Sequence, residues 1–318
     1  MDRTKVLAML TVLGLALVPV AAWAFDEPFW IDLFARVAIF AIAALSLDLI
    51  LGFAGLVSFG HAIYMGLGAY TVGILSYHGI TAGLVHFPAA IVVSALAALM
   101  IGAISLRTSG VFFIMITLAF GQMGYFLAIS INAYGGDDGL SINRQSDFGS
   151  LLRLDDLHVF YYLVIVILAA LLWLGFRLVN SRFGLLLQAI RFNERRMNAL
   201  GFPTFRYKLA AFVISGAVCG LAGALLANLT LFVSPSLMHW FRSGELLVMV
   251  IAGGMATLVG PVLGAIIYLM LEHVLAGLTV HWPAVLGAIL LLIVLFGKQG
   301  LAGILLARKK VKEAKPHG

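Results

Sequence analysis

The chain has 318 residues, of which 63% are apolar and 11% charged, and its mean hydropathy is +1.09. Ordinary soluble domains are about 45–50% apolar, so this composition excludes an ordinary soluble domain. The net charge of +6 comes from Lys and Arg divided among loops beside apolar runs, which argues against a nucleic-acid-binding protein and for contact with a lipid bilayer.

Apolar runs of about 20 residues recur along the chain without the strict alternation of a membrane β-barrel. They predict an all-α, polytopic integral membrane protein that forms a single transmembrane domain over residues 1–318. We expect about ten membrane-spanning helices, within a range of 8–11. The predicted spans are 6–25, 33–51, 59–76, 87–105, 111–131, 158–178, 208–230, 244–256, 261–278 and 284–296.

The first run follows a basic start, Met1 to Lys5, and precedes Ala22-Trp23-Ala24. This pattern fits either a cleaved secretory signal, with residues 1–24 removed, or an uncleaved first helix. We favour the uncleaved helix because the apolar run extends to Phe25 and nothing soluble follows it.

The basic residues predict the orientation. Of the 20 Lys and Arg residues, 16 fall in regions assigned to the cytoplasm, including the basic tail 297–318, and Arg36 lies near a span end. The other side holds three, namely Arg144, Arg153 and Arg242. Cytoplasmic loops carry such an excess, so we predict a multi-pass protein of the inner (plasma) membrane with both termini cytoplasmic.

The longest predicted external loop, 132–157, is acidic. It contains Asp137, Asp138, Asp147, Asp155 and Asp156. Two interpretations stay open: these acids simply keep the loop solvated, or they form a docking rim that steers a soluble substrate-binding protein through charge complementarity.

Two glycine-rich regions interrupt the apolar runs about 200 residues apart. Glycine permits close helix packing, or lets the backbone interrupt a helix where a cavity supplies hydrogen-bond partners. Their corresponding positions predict a pseudo-repeat of two halves with a translocation pathway beside them, while tight packing alone is the alternative. The candidate pathway residues are Asp48, Gly52, Gly55, Ser58, His61, Gly253, Gly254 and Thr257.

Asp48 is the one acid well inside a predicted span, where an ionised carboxylate costs roughly 2.5–3.5 kcal/mol. We expect it either to hydrogen-bond the broken backbone between Gly52 and Ser58 or to line the pathway. Ser58 and His61 stand at i and i+3, which predicts a polar pair on one helix face. No acid or oxyanion arrangement accompanies this pair, so it does not indicate nucleophilic catalysis.

The longest polar interruption on the basic side is the loop 179–207, within a segment from Arg177 to Lys208 that holds seven Lys/Arg and one acid, Glu194. Polar positions spaced by 3, 4 and 3 predict one helix face carrying Gln188, Arg191, Arg195 and Asn198. The opposite face is apolar and carries Phe183, Leu187, Ile190, Met197 and Leu200. The loop is therefore predicted to be an amphipathic docking element.

The end of this segment carries helix-terminus signals. Asn193 is suited to cap a short final helix whose first residue is Glu194. Gly201 suits the left-handed position after a helix, and Pro203 prevents continuation.

Three stretches together resemble one family. They are Glu194 followed by Ala199-Leu200-Gly201 and an apolar helix from Arg206 to Gly216, then the run 51–61 (LGFAGLVSFGH), and the run 251–265 (IAGGMATLVGPVLGA). With Gly66-Leu67-Gly68-Ala69-Tyr70, the resemblance covers roughly residues 40–305. It is to the branched-chain amino-acid permeases of ABC importers, specifically the longer of the two paired membrane subunits.

The resemblance implies import of leucine, isoleucine and valine by alternating access, although similar permeases carry other amino acids or urea. It implies a second homologous permease subunit, two cytoplasmic ABC ATPase subunits and an external substrate-binding protein as partners. The loop residues that it assigns to coupling with the ATPase are Asn193, Glu194, Arg195, Ala199, Leu200 and Gly201.

Several motifs are missing from the sequence. There is no Gly-x-x-x-x-Gly-Lys-Ser/Thr loop, no His-Glu-x-x-His and no Cys/His cluster, and the single cysteine is Cys219. We therefore expect a transport subunit that is not an enzyme and binds no metal or cofactor, with ATP and Mg bound by the partner ATPase subunits. An ion-coupled secondary transporter is the competing class, and among residues in the spans only Asp48 offers it a titratable group near the midplane.

Overall fold

The computed structural model describes residues 3–20, 27, 29–149, 154–296, 300, 302 and 303. In this part of the chain the backbone is helical apart from short turns and one pair of two-residue strands, β1 Leu140–Ser141 and β2 Phe232–Val233. The helices are α1 Arg3–Ala16, α2 Phe29–Asp48, α3 Ala62–Tyr77, α4 Gly83–Ser105, α5 Val111–Ser130, α6 Leu157–Val179, α7 Arg182–Phe192, α8 Glu194–Ala199, α9 Thr204–Thr230, α10 Trp240–Gly253, α11 Gly260–Leu278 and α12 Trp282–Phe296.

The polytopic helical fold predicted from the apolar runs is confirmed, because a helix lies at each of the ten predicted spans. Six helical segments among the described residues are long and apolar enough to cross a membrane. They are α2 with the turn that extends it to Phe53, α4, α5, α6, α9 and α11. The helices α1, α3 and α12 are shorter apolar helices, and α10 has 14 residues, as short as its sequence suggested.

Helix α2 lies at the centre of the bundle. Of its apolar stretch 89% is buried, against 22% for α4 and for α5. Small residues make this burial possible, since Ala38, Ala41 and Ala44 are fully buried and let α6, α9 and α11 pack close to the α2 backbone. The outer faces of α4 and α5 carry large exposed apolar side chains, as expected of helices that face lipid.

Helices α3, α4 and α9 approach one another through glycines. A Cβ at Gly68 of α3 would overlap the carbonyl of Gly220 in α9, and a Cβ at Gly223 would overlap the carbonyl of Met65. At Gly216 a Cβ would lie 2.5 Å from Cβ of Ala98 in α4. Without a hydrophobic effect between helices in lipid, such backbone-to-backbone packing supplies the association energy.

The described part of the loop between α5 and α6, residues 131–149 and 154–156, is anchored to the bundle. Strand β1 pairs antiparallel with β2 after α9, in the register Leu140 to Val233. The backbone N–H of Ser146 donates to Oδ1 of the buried Asn228 at 2.7 Å, and Oγ of Ser146 lies 2.7 Å from Nδ1 of His86. Two residues per strand are too few to give the alternating pattern that predicts a strand, so the all-α prediction misses this pair.

The acids of this loop fall into two groups. All five acids, Asp137, Asp138, Asp147, Asp155 and Asp156, are exposed, but Asp147 and Asp156 also accept backbone N–H groups through Oδ1, from Gly149 at 2.6 Å and from His158 at 2.9 Å. The latter contact caps α6.

Helix α1 packs on α6, where the Tyr161 hydroxyl donates to the carbonyl of Leu15 at 2.5 Å. The predicted cleavage site at residues 22–24 lies outside the described residues, and so does the basic tail 297–318 apart from 300, 302 and 303.

Candidate functional site

The first glycine-rich region is a break after α2. The chain continues from Asp48 into a π-helical turn, Leu49–Phe53, and the N–H of Leu56 returns to the carbonyl of Ile50 at 2.8 Å. Gly55 has a φ of +72°, a conformation that strongly favours glycine. The turn therefore ends the helix inside the bundle, before α3 begins.

The second glycine-rich region separates α10 from α11. Gly254 has a φ of +115°, and Ala256 and Leu258 have φ values of +60° and +57°. Non-glycine residues rarely adopt such angles and persist there only when their surroundings hold them. Here the Thr257 hydroxyl donates to the Gly254 carbonyl at 2.7 Å and accepts from the N–H of Gly260 at 2.9 Å, which starts α11.

The two breaks touch each other through Asp48. Its side chain is fully buried, and Oδ1 accepts the backbone N–H of Ala256 at 2.8 Å. A Cβ at Gly52 would overlap Asp48 Oδ1 and lie 2.5 Å from the N atom of Ala256. The prediction that Asp48 bonds to backbone between Gly52 and Ser58 was therefore wrong, since its partner stands 208 residues away and spacing within one segment could not reveal it.

The predicted Ser58–His61 pair was also wrong. Helix α3 begins only at Ala62, so Ser58 and His61 share no helix face. His61 is fully buried, with Nε2 2.9 Å from Oγ of Ser46 in α2. Because the Ser46 hydroxyl gives its one proton to the Ala43 carbonyl at 2.6 Å, it must accept from Nε2–H.

Three buried polar atoms around the first break have no hydrogen-bond partner among the described residues. They are Asp48 Oδ2, Ser58 Oγ and His61 Nδ1. Buried polar groups in proteins are almost always paired, with protein groups or with water.

An apolar cavity of about 390 Å³ opens beside both breaks, between α2, α6 and α9. The hydroxyls of Ser46 and Ser215 contribute to its wall, and Arg177 and Ser181 lie at its edge. The apolar lining includes Leu45, Leu49, Leu171, Ile214, Val218 and Leu258.

The loop 179–207 forms the helices α7 and α8. Asn193 separates them with a φ of −157°, and its Oδ1 accepts the N–H of Arg196 at 2.9 Å, so the predicted cap and the start at Glu194 are confirmed. Gly201 has the predicted left-handed conformation, with a φ of +85°. The extended Asn193 interrupts the expected continuous polar face, which leaves Gln188 and Arg191 on α7 and Arg195 and Asn198 on α8.

The predicted apolar face of the loop is only partly buried. Leu187, Ile190 and Met197 pack inward, whereas Leu200 is 64% exposed. Phe192, at the end of α7, is 89% exposed. We define the loop surface as the exposed residues Phe192, Arg195, Arg196, Ala199 and Leu200.

Glu194 holds α8 against the start of α9. Its Oε2 lies 2.5 Å from Nζ of Lys208, and its Oε1 lies 3.3 Å from Oγ1 of Thr204. The same hydroxyl lies 2.8 Å from Oδ1 of Asn198. The only acid of the loop is therefore used to fix α8 in place.

Arg191 reaches from the last turn of α7 into the first break. Its Nη1 donates to the carbonyl of Gly52, and a Cβ at Gly55 would lie 2.9 Å from its Cγ. Sequence spacing indicated only a polar helix face for this residue. The sequence analysis also missed Ser46, the partner of His61, and Ala256 and Leu258 of the second break. No pattern in the sequence marked these three residues apart from their nearness to glycines.

Among the described residues, no group of three or more His, Cys, Asp or Glu side chains is arranged to hold a metal ion.

Comparison with known proteins gives matches to transport permeases. The family model described as "Branched-chain amino acid transport system / permease component" matches residues 29–296. The high-affinity branched-chain amino acid transport permease proteins LivM of Salmonella typhimurium and Escherichia coli are each 28% identical over 311 residues, covering 91% of this chain and 73% of the relative. A probable LivM of Methanocaldococcus jannaschii is 24% identical over 275 residues, covering 74% and 78%. No solved structure gives a significant match.

Proposed function

The chain belongs to the family of branched-chain amino acid transport permeases, and from that premise we propose that it is a membrane-spanning subunit of an ABC importer for leucine, isoleucine and valine. The observation that carries this proposal is the family match over residues 29–296, which includes both breaks and the loop 179–207. The match therefore includes the membrane-spanning helices from α2 onward and the loop 179–207.

We propose that ATP and Mg are bound by two cytoplasmic ABC ATPase subunits that dock on the loop surface. The sequence itself has no phosphate-binding glycine loop, so the chain contributes no ATPase site and no catalytic residues. Exposed Phe192 and Leu200 beside the cationic Arg195 and Arg196 form an amphipathic patch of the kind that a partner buries. The coupling residues are then Asn193, Glu194, Arg195, Ala199, Leu200 and Gly201.

Two further partners complete the proposed importer. A second homologous permease pairs with this chain in the inner (plasma) membrane, and an external binding protein delivers the substrate. The described part of the loop between α5 and α6 supports the proposal of an external binding protein. Its backbone is fixed to α4 and α9, while Asp137 and Asp138 remain exposed at its surface. A fixed acidic surface attracts a protein with a complementary basic patch.

The translocation pathway is proposed to run beside the two breaks, past Asp48, Gly52, Gly55, Ser58, His61, Gly253, Gly254 and Thr257. Asp48, Ser58 and His61 are inaccessible in this conformation, which corresponds to a closed pathway. Separation of the breaks would expose their unpartnered polar atoms to water. The ATPase can drive this step only by binding the two conformations with different free energies.

The chemistry of this region favours a small aliphatic substrate. Apolar side chains dominate the cavity beside the breaks, and burying an unpaired sugar hydroxyl there would cost roughly 1–3 kcal/mol. The charged ends of an amino acid would be stabilised by water and by helix termini at the breaks. Another amino acid or urea is the alternative substrate within the family.

The test is uptake of radiolabelled leucine by proteoliposomes that contain the complete complex. We expect uptake to require ATP on the loop side and the binding protein on the other side, and unlabelled isoleucine and valine to compete. Urea should not compete. Uptake driven by an ion gradient without ATP would replace the proposal with the secondary-transporter class.

A further inference from the structure

The side chain of Arg191, although exposed overall, extends from the loop 179–207 to the first break. In a helix interrupted within a membrane, carbonyls released from the helical hydrogen-bond pattern need another donor. At the first break the carbonyl of Gly52 receives this bond from Nη1 of Arg191. The donor thus comes from α7 rather than from a neighbouring spanning helix.

Glycine makes this contact close. A Cβ at Gly55 would lie 2.9 Å from Cγ of Arg191 and 3.7 Å from its Cβ. On the other side of the same turn, a Cβ at Gly52 would overlap Asp48 Oδ1, the atom that accepts the N–H of Ala256. Arg191, the first break, Asp48 and the second break therefore form one unbroken series of contacts.

The other basic side chains of the loop differ. Among the described residues, the side chains of Arg182, Arg195, Arg196 and Arg206 make no hydrogen bond or ion pair, and Lys208 pairs with Glu194 inside the loop region. The positive-inside preference accounts for their charge but not for a specific bond to a break. Arg191 is set apart by its contact, not by its charge.

We propose that Arg191 is the positioning residue that transmits displacement of the loop to both intramembrane breaks, and that its contact with Gly52 and Gly55 persists through the transport cycle. This inference rests on the proposed function, since it concerns how ATP-driven movement reaches the pathway. When an ATPase displaces α7, the first break follows, and the Asp48–Ala256 contact carries the displacement to the second break. Each step of this path is a direct contact between two elements, so displacement of one element can move the next.

The first experiment compares Arg191→Ala with Arg182→Ala, a control on the same helix, in the complete complex, measuring leucine uptake per ATP hydrolysed and basal ATP hydrolysis. Losing a charge-assisted bond should lower uptake per ATP about tenfold in Arg191→Ala while basal hydrolysis stays within about twofold. Arg191→Lys keeps a donor but not the planar guanidinium, so it should fall in between. Arg182→Ala, which breaks no contact to either break and lies outside the loop surface, should resemble the parent.

Equal uptake per ATP in Arg191→Ala and parent would overturn the inference, and so would an equal loss in Arg182→Ala. A parent complex without ATP-dependent leucine uptake would instead refute the proposed function. If Arg191→Ala does not assemble, the test is Arg191→Lys. Unchanged leucine uptake per ATP in this variant would show that the guanidinium of Arg191 has no role in transmission.

A second experiment replaces the contact by a covalent bond. The 3.7 Å separation of the two Cβ positions lies within the range of about 3.5–4.5 Å found in disulfides, so Arg191→Cys with Gly55→Cys should crosslink on oxidation. If the contact between Arg191 and Gly55 persists through the transport cycle, the disulfide should replace it. Uptake per ATP should then be higher in the oxidised than in the reduced sample. Arrest on oxidation would show that the loop and the first break must separate, which contradicts the proposal.

Discussion

At the residue scale, Asp48 combines a fully buried carboxyl group with one backbone partner, the N–H of Ala256. Accepting that N–H needs an oxygen atom but no negative charge. An asparagine side chain presents a carbonyl oxygen in the same position, whereas alanine presents none. The two replacements therefore separate a structural role from a role that needs a titrating carboxylate.

We expect Asp48→Asn to keep the unfolding temperature and leucine uptake close to those of the parent. Asp48→Ala should lower the stability by about 1–3 kcal/mol, because the buried N–H of Ala256 is left unpaired. Thermal unfolding of the purified protein, together with uptake by the reconstituted complex, measures both effects.

Loss of uptake in Asp48→Asn with an unchanged unfolding temperature would contradict this expectation. It would favour proton- or ion-coupled transport, in which the charge of the carboxylate is used directly.

At the element scale, α8 is fixed at both ends, by the Asn193 cap and by the left-handed Gly201. The backbone at Gly201 restricts what can replace it, while the space around it is open, with nothing within 4 Å of an added Cβ. Replacement thus disturbs the course of the chain after α8 without a steric clash in the bundle.

We predict that Gly201→Val leaves membrane insertion intact but weakens co-purification with the ATPase subunits. A β-branched residue at a φ of +85° costs about 1–3 kcal/mol, which α8 relieves by shifting. The matched control is Gly79→Val after α3, with a φ of +80° and equally open surroundings, on the predicted external side. Co-purification that falls equally in both variants, or in neither, would remove α8 from the docking surface.

The anchored residues between α5 and α6 give a second prediction at this scale. Asn228→Ala removes the acceptor of the Ser146 N–H, so a buried donor is left unpaired and stability should fall by about 1–3 kcal/mol. Limited proteolysis should then cut within 131–157 faster than in the parent. Ser130→Ala, which removes an exposed hydroxyl bond to Phe126, should change stability by less than about 0.5 kcal/mol. If the two variants are cut at the same rate, Asn228 does not anchor the loop.

Local signals predicted the helices and their ends well, since apolar length and capping residues act within a few residues of each other. The spans, the Asn193 cap and the conformation of Gly201 follow from such signals. Partners across the bundle do not, because Asp48 and Ala256 meet only after α2 and the second break have packed together. The Arg191 contact was missed for the same reason, as its spacing indicated only an exposed helix face.

At the scale of the whole molecule, the 16-to-3 division of basic residues predicts the orientation in the membrane. Reporter fusions after Gly318 and within 141–150 should report opposite compartments, with the first in the cytoplasm. A common compartment for both would mean that the number of crossings between them is even, contrary to the assigned spans.

The glycine contacts between α3 and α9 also bear on biogenesis. Gly68 and Met65 are synthesised well before their partners Gly220 and Gly223, which lie in α9 beyond Thr204. A nascent chain halted before residue 204 therefore holds α2, α3 and α4 in the bilayer without the helix that closes them. Final assembly must wait for late translation, and stalled chains of that length should be preferred substrates of membrane quality-control proteases.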